Sequence, residues 1–89
     1  MPGWSITAIG RVQGVGFRWY VRDCAWRHQI TGYVRNHADG SVGMLACGTT
    51  EDLQLFTEDL KRGNRGAVVQ KLEITELDNY TGYEEFVIA

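Results

Sequence analysis

The hydrophobic repeat of this 89-residue chain changes from two to 3.6 and back, twice, with glycine or threonine marking the changes. Few folds accept that order. Trp4, Ile6, Ala8, Gly10 and Val12 share one parity and Ser5, Thr7, Ile9 and Arg11 the other, which predicts a strand from Trp4 to Val12. Phe17, Val21, Cys24, Ala25 and His28 fall on one face of a helix running from Phe17 to His28, with Trp19, Tyr20 and Trp26 off that stripe. Ile30 to Asn36 predicts a second strand, Asp39-Gly40 a hairpin turn, and Val42 to Cys47 a third strand. Thr49 or Thr50 caps a second helix with Leu53, Phe56 and Leu60 on its apolar face and Gly63 as its stop. Val68 to Leu77 predicts a fourth strand, with Leu72 and Ile74 on one face. Asp78 to Gly82 reads as a turn and Tyr83 to Ile88 as a short last strand.

This order, β-α-β-β-α-β plus a short terminal strand, is the α+β ferredoxin-like, split-βαβ arrangement in a single domain over residues 1–89. Right-handed crossovers place two helices on one face of an antiparallel sheet. Strands one and two then run parallel with strand three between them. Their C-terminal ends share one edge of the sheet, about 10 Å apart at two strand spacings. The segment after strand one and Asn36 at the end of strand two can therefore meet one ligand. The scaffold itself hosts enzymes, metal carriers and RNA readers, so function has to be argued from the site.

Residues 10 to 18 read G-R-V-Q-G-V-G-F-R, between a strand and a helix. Backbone amides are unpaired there and the helix dipole is positive. Gly14 and Gly16 let successive N–H groups converge on one anion, and Phe17 anchors the loop to the core. Arg18 sits in the first helical turn, where a cation is disfavoured unless an anion is bound beside it. Its guanidinium is shaped to fork onto two phosphoryl oxygens. The alternative is a glycine-rich connector with a solvated arginine. The loop is neither a Walker A sequence nor a dinucleotide fingerprint.

G-R-V-Q-G-V-G-F-R resembles the acylphosphatase signature. A second block, G-Y-V-R-N-H-A-D-G-S-V at residues 32 to 42, resembles that family's second motif at the right distance, and the likeness extends over essentially the whole chain. The resemblance implies a hydrolase that cleaves the carboxyl-phosphate bond of acyl phosphates without metal or cofactor. It implies that the amides of Gly14, Val15, Gly16 and Phe17, together with Arg18, hold the phosphoryl group, and that Asn36 positions the attacking water. The parity of Asn36 matches Ile30 and Val34, which directs its side chain toward the helix-covered face. Inorganic phosphate is then expected as product and competitive inhibitor. A rival reading on the same fold is a catalytically weak domain that binds phosphate or carbamoyl phosphate.

The residues around the two motifs read as structural. Arg35 alternates away from Asn36, His37 reads as an exposed loop residue, Arg11 as structural, and Asp39-Gly40 as hairpin chemistry. Several positions depart from the family pattern. His28-Gln29-Ile30 stands where Leu-Gly-Leu is common, which removes an easy left-handed cap and puts a polar ring on the apolar stripe. Gly43 stands where an acidic residue is common, Ala38 where proline is, and Glu85 where glycine is frequent.

Charge and cysteines narrow the classes further. The net charge is -2 and the pI about 5.6, which excludes the broad basic footprint of a nucleic-acid binder. No run reaches the roughly 18 to 20 apolar residues of a membrane span, and no signal peptide precedes the first strand, so a cytoplasmic monomer is expected. Cys24 and Cys47 form no C-x-x-C pair and no metal-ligand spacing with His28 and His37. They read as small buried hydrophobes, with a disulfide left open.

Overall fold

The computed structural model describes residues 1–77 and 82–89. Seven elements follow in order: β1 (Gly3–Arg11), α1 (Phe17–Arg27), β2 (Thr31–Asn36), β3 (Val42–Cys47), α2 (Thr50–Arg62), β4 (Val68–Leu77) and β5 (Phe86–Ile88). Every expected element is present, with ends displaced by a residue or so except at β5, which is confined to Phe86–Ile88. The turn expected from Asp78 onward lies, apart from Gly82, outside the described residues.

The sheet order is β4-β1-β3-β2-β5. β3 lies antiparallel between β1 and β2, with Ile6 and Val34 both opposite Met44. β1 and β2 are therefore parallel, as the connectivity predicts. The expectation of an antiparallel sheet needs one correction: β5 pairs parallel with β2, Val34 opposite Ile88. A strand that turned back beside β4 would be antiparallel to it. β5 instead joins the opposite edge, where its direction is set by β2. The Gly32 N–H donates to the Glu85 carbonyl at 2.9 Å, and the Ala89 N–H to the Val34 carbonyl at 2.8 Å.

One core fills the space between the sheet and both helices. Trp4, Ile6 and Ala8 of β1 and Val42, Met44 and Ala46 of β3 meet Phe17, Val21, Cys24 and Ala25 of α1 and Leu53, Phe56 and Leu60 of α2. Phe86 closes the β5 side, its ring edge-on to Phe56 with centroids 6.1 Å apart. Each such buried ring contributes roughly 1.5–3 kcal/mol. β4 breaks its alternation at a bulge, where Ile9 pairs with Lys71 but Gly10 with Val69. Val69 and Leu72, three apart, consequently both pack on the core, whereas Ile74 is 39% exposed.

Both helix ends have local causes. The Thr49 hydroxyl accepts the Asp52 N–H at 3.1 Å, capping α2, and Gly63 ends it with φ 68°. α1 ends without glycine. Gln29 itself takes φ 58°, its N–H donates to the Trp26 carbonyl, and the Ile30 N–H returns to the Ala25 carbonyl at 2.8 Å. This is a Schellman closure built on a residue that resists it. Two of the three outlying aromatics of α1 also find places. The Trp26 indole N–H donates to the Phe86 carbonyl at 3.2 Å and covers the outer edge of β5, and the Tyr20 hydroxyl donates to the Asp59 carbonyl at 2.6 Å.

Candidate functional site

The connection from β1 to α1 is shaped by two left-handed glycines, Gly14 with φ 73° and Gly16 with φ 76°, on either side of Val15. A Cβ on Gly14 would meet nothing within 4 Å among the described residues, so the backbone angle and not packing demands glycine there. Alternating hands along three residues turn successive amides toward one side, the geometry of an anion nest. Gly16 is also the N-cap of α1. It offers no capping side chain, and the first turn contains no acidic residue. The first helical bond runs from the Tyr20 N–H to the Gly16 carbonyl, leaving the amides of Phe17 and Arg18 without an intrahelical acceptor. Phe17 is buried and Val15 packs on the core, while Gly14 and Gly16 are exposed.

Arg18 is half-buried in this first turn. The ion pairs among the described residues use Arg22, Arg27, His28, Arg62 and Lys71, and none takes Arg18. An unpaired cation beside the positive end of a helix is an unfavourable arrangement until an anion enters. Asn36 is the last residue of β2, at the same sheet edge as the end of β1. It shares parity with buried Gly32 and Val34, and is itself exposed because it stands at the strand's end.

Two residues that sequence reading left without a site role brace the loop. Gln13 Nε2 donates to the His37 carbonyl at 2.7 Å and to the Ser41 carbonyl at 2.8 Å. One carboxamide thereby joins the loop to both ends of the β2–β3 turn that follows Asn36. Asn64, in the connection between α2 and β4, donates from Nδ2 to the Val15 carbonyl at 2.7 Å. Its Oδ1 is buried without a hydrogen-bond partner among the described residues. Gln13 lies inside the glycine motif and could have been suspected from it. Asn64 is 49 residues away from its acceptor and carries no sequence signal.

The β2–β3 turn is itself tied. Asp39 Oδ1 accepts the Ser41 N–H at 2.9 Å and the Ser41 hydroxyl at 2.6 Å. These bonds hold the Asp39 carboxyl below its usual range. His37 is half-buried, not an exposed loop residue. Its Nδ1 lies 3.1 Å from the Ser41 oxygen, and its ring fills the space in which a Cβ on Gly43 would stand. Glycine at 43 and histidine at 37 are thus one packing solution.

The remaining ionisable cluster is structural. Asp59 of α2 is buried and meets His28 Nε2 at 2.7 Å, Arg27 at 3.0 Å and Arg62 at 3.2 Å. The polar ring on the apolar stripe of α1 therefore has its partner. Cys24 and Cys47 are free and buried, and burial pushes both thiols up, which unsuits them to act as nucleophiles. Among the described residues no three His, Cys, Asp or Glu side chains are grouped to hold a metal, and no helix is long and apolar enough to cross a membrane.

The Acylphosphatase family model matches residues 4–88. An acylphosphatase of Bacillus velezensis is 41% identical over 89 residues, all of this chain and 99% of that protein. The crystal structure of acylphosphatase from Bacillus subtilis superposes with a TM-score of 0.97 at 38% identity, covering 100% of this chain and 99% of that one. Full-length HypF, in its phosphate- and nucleotide-bound form, contains a segment of the same shape, with a TM-score of 0.84 at 25% identity. That segment covers 99% of this chain and only 12% of HypF.

Proposed function

The chain belongs to the acylphosphatase family, hydrolases of the carboxyl-phosphate bond of acyl phosphates, and we propose that it works through Arg18, Asn36 and the amides of Gly14 to Phe17. Those amides and the Arg18 guanidinium hold the phosphoryl oxygens and stabilise the charge that gathers on them. Asn36 orients a water in line with the scissile bond. The water oxygen forms a bond to phosphorus as the bond from phosphorus to the acyl oxygen breaks. The carboxylate departs with the electron pair, and the water proton passes to a phosphoryl oxygen. A carboxylate is a good leaving group, so this route needs no protein acid.

The observation that carries the reading is Arg18: a cation with no counter-ion among the described residues, in the first turn of a helix whose cap supplies only backbone amides. The same nest should admit inorganic phosphate, as product and as competitive inhibitor. The acylphosphatase-like domain spans residues 1–89 and acts as a monomer. We place it in the cytoplasm because both cysteines are free, the state a reducing compartment maintains.

Hydrolysis of benzoyl phosphate in EDTA tests the assignment. Arg18→Ala and Asn36→Ala should each lose about a hundredfold or more in kcat while unfolding like the wild type. A wild-type protein that binds phosphate without turnover would instead support the rival reading, a phosphate- or carbamoyl phosphate-binding domain.

A further inference from the structure

Two of the three tryptophans stand on the outer side of α1, Trp19 55% and Trp26 57% exposed. Arg22 lies between them, its guanidinium 4.6 Å from one indole centroid and 4.3 Å from the other. The three side chains form one wall of a groove of about 690 Å³, and Val87 and Ile88 of β5 form the facing wall. That volume lies in the range of small-molecule sites. Trp26 is engaged by its bond to Phe86, but Trp19 has no such bond among the described residues, and an indole left open on a helix whose opposite face is packed suits a ligand.

Neither Arg18 nor Asn36 lines the groove, but its Trp19 end begins at the residue that follows Arg18. Arg22 follows Arg18 by one helical turn, so the two share a side of α1. Across the groove Ile88 pairs with Val34, two residues before Asn36, because β5 runs parallel to β2. A phosphoryl group held at Arg18 would thus have its acyl substituent directed into the space between Trp19 and Ile88. At the far end stand Glu84 and Glu85, both exposed, which repel an anionic tail. The charge of Arg22 is met by Asp23 at 3.2 Å and spread against the two indoles.

We propose that this groove is the acyl subsite, and that the substrates it selects carry an aromatic or otherwise extended, apolar and uncharged acyl group. The inference rests on Arg18 and Asn36 being the catalytic pair. An acetyl group is too small to reach along the groove, whereas a phenyl ring can stack on the Trp19 indole.

The test compares kcat/KM for acetyl phosphate, benzoyl phosphate and 3-phenylpropanoyl phosphate in the wild type, Trp19→Ala and Trp19→Phe. In Trp19→Ala the two aromatic substrates should lose about tenfold while acetyl phosphate stays within about twofold, and Trp19→Phe should restore most of the loss. A wild type that hydrolyses none of the three overturns the catalytic reading. A wild type that hydrolyses all three, with Trp19→Ala leaving their ratio unchanged, overturns the subsite alone. Equal losses on all three substrates in Trp19→Ala would also overturn it.

Discussion

Gln13 reaches from the glycine loop to the β2–β3 turn and donates to the His37 carbonyl at 2.7 Å, so the residue after Asn36 is fastened to the loop that carries Arg18. On the roles proposed for Arg18 and Asn36, the distance between a phosphoryl group and its attacking water then depends on one carboxamide that touches neither.

Replacing Gln13 should consequently act on turnover more than on affinity. Gln13→Ala and Gln13→Glu both remove the donor, and the second keeps the bulk. Each is expected to lower kcat for benzoyl phosphate by about ten- to a hundredfold with a smaller change in KM. Stability should fall by about 1–3 kcal/mol, read from urea unfolding, since the carbonyls of His37 and Ser41 lose a half-buried donor. An unchanged kcat in Gln13→Glu would show that the bridge does not set the geometry.

Asn64 braces the other side of the loop, through the Val15 carbonyl. Here the phosphate nest loosens while Asn36 stays in place. Asn64→Ala should raise the inhibition constant of inorganic phosphate about tenfold and lower kcat less than that. Calorimetric titration with phosphate measures it directly, and tight binding in the variant would refute the brace.

The two braces also mark where sequence reading stops. Strand and helix identities were legible because their periods differ, and the loop was legible because Gly14, Gly16 and Arg18 sit together in the chain. Hydrogen bonds from Gln13 and Asn64 join residues 24, 28 and 49 positions apart, and no local pattern encodes such distances. The same holds for β5, whose three residues carry too little pattern to show that they pair with β2 and not β4. His28 looked misplaced on an apolar stripe until Asp59 supplied its partner from another helix.

Gln29 offers a stabilising substitution. A non-glycine residue at φ 58° costs roughly 1–2 kcal/mol, and glycine returns about 0.4–1 kcal/mol of that through the entropy of the unfolded chain. Gln29→Gly should therefore raise stability by up to about 1 kcal/mol, or some 4–8 °C in Tm for a domain of this size. Acetyl phosphate turnover should not change. A lower Tm would mean that the Gln29 side chain contributes more than its backbone angle costs.

Asp59 predicts a pH dependence. The His28 hydrogen bond, aided by Arg62 and Arg27, outweighs burial and holds its carboxyl below the usual 3.8. A carboxyl depressed in the folded state contributes stability above its unfolded value and loses it as pH falls through its folded one. Asp59→Asn should thus be about 2–3 kcal/mol less stable than wild type at pH 7, with the gap closing steadily below about pH 4. Urea midpoints of both proteins at pH 7 and pH 3 give the comparison. A gap of constant size would assign the loss to packing and not to charge.

The braces that shape the phosphate loop have a consequence in time. Each joins the loop to a segment two dozen or more residues downstream, so no fragment ending before the α2–β4 connection can present a finished nest. Contacts of such separation form late, after most of the chain has been gathered. Regain of catalytic activity during refolding should therefore coincide with the last cooperative step and not precede it. If phosphate binds the nest as proposed, it binds only what that step produces, and it stabilises the folded chain with the logarithm of its concentration over its dissociation constant. The product of the reaction would in this sense also be a ligand that preserves the catalyst.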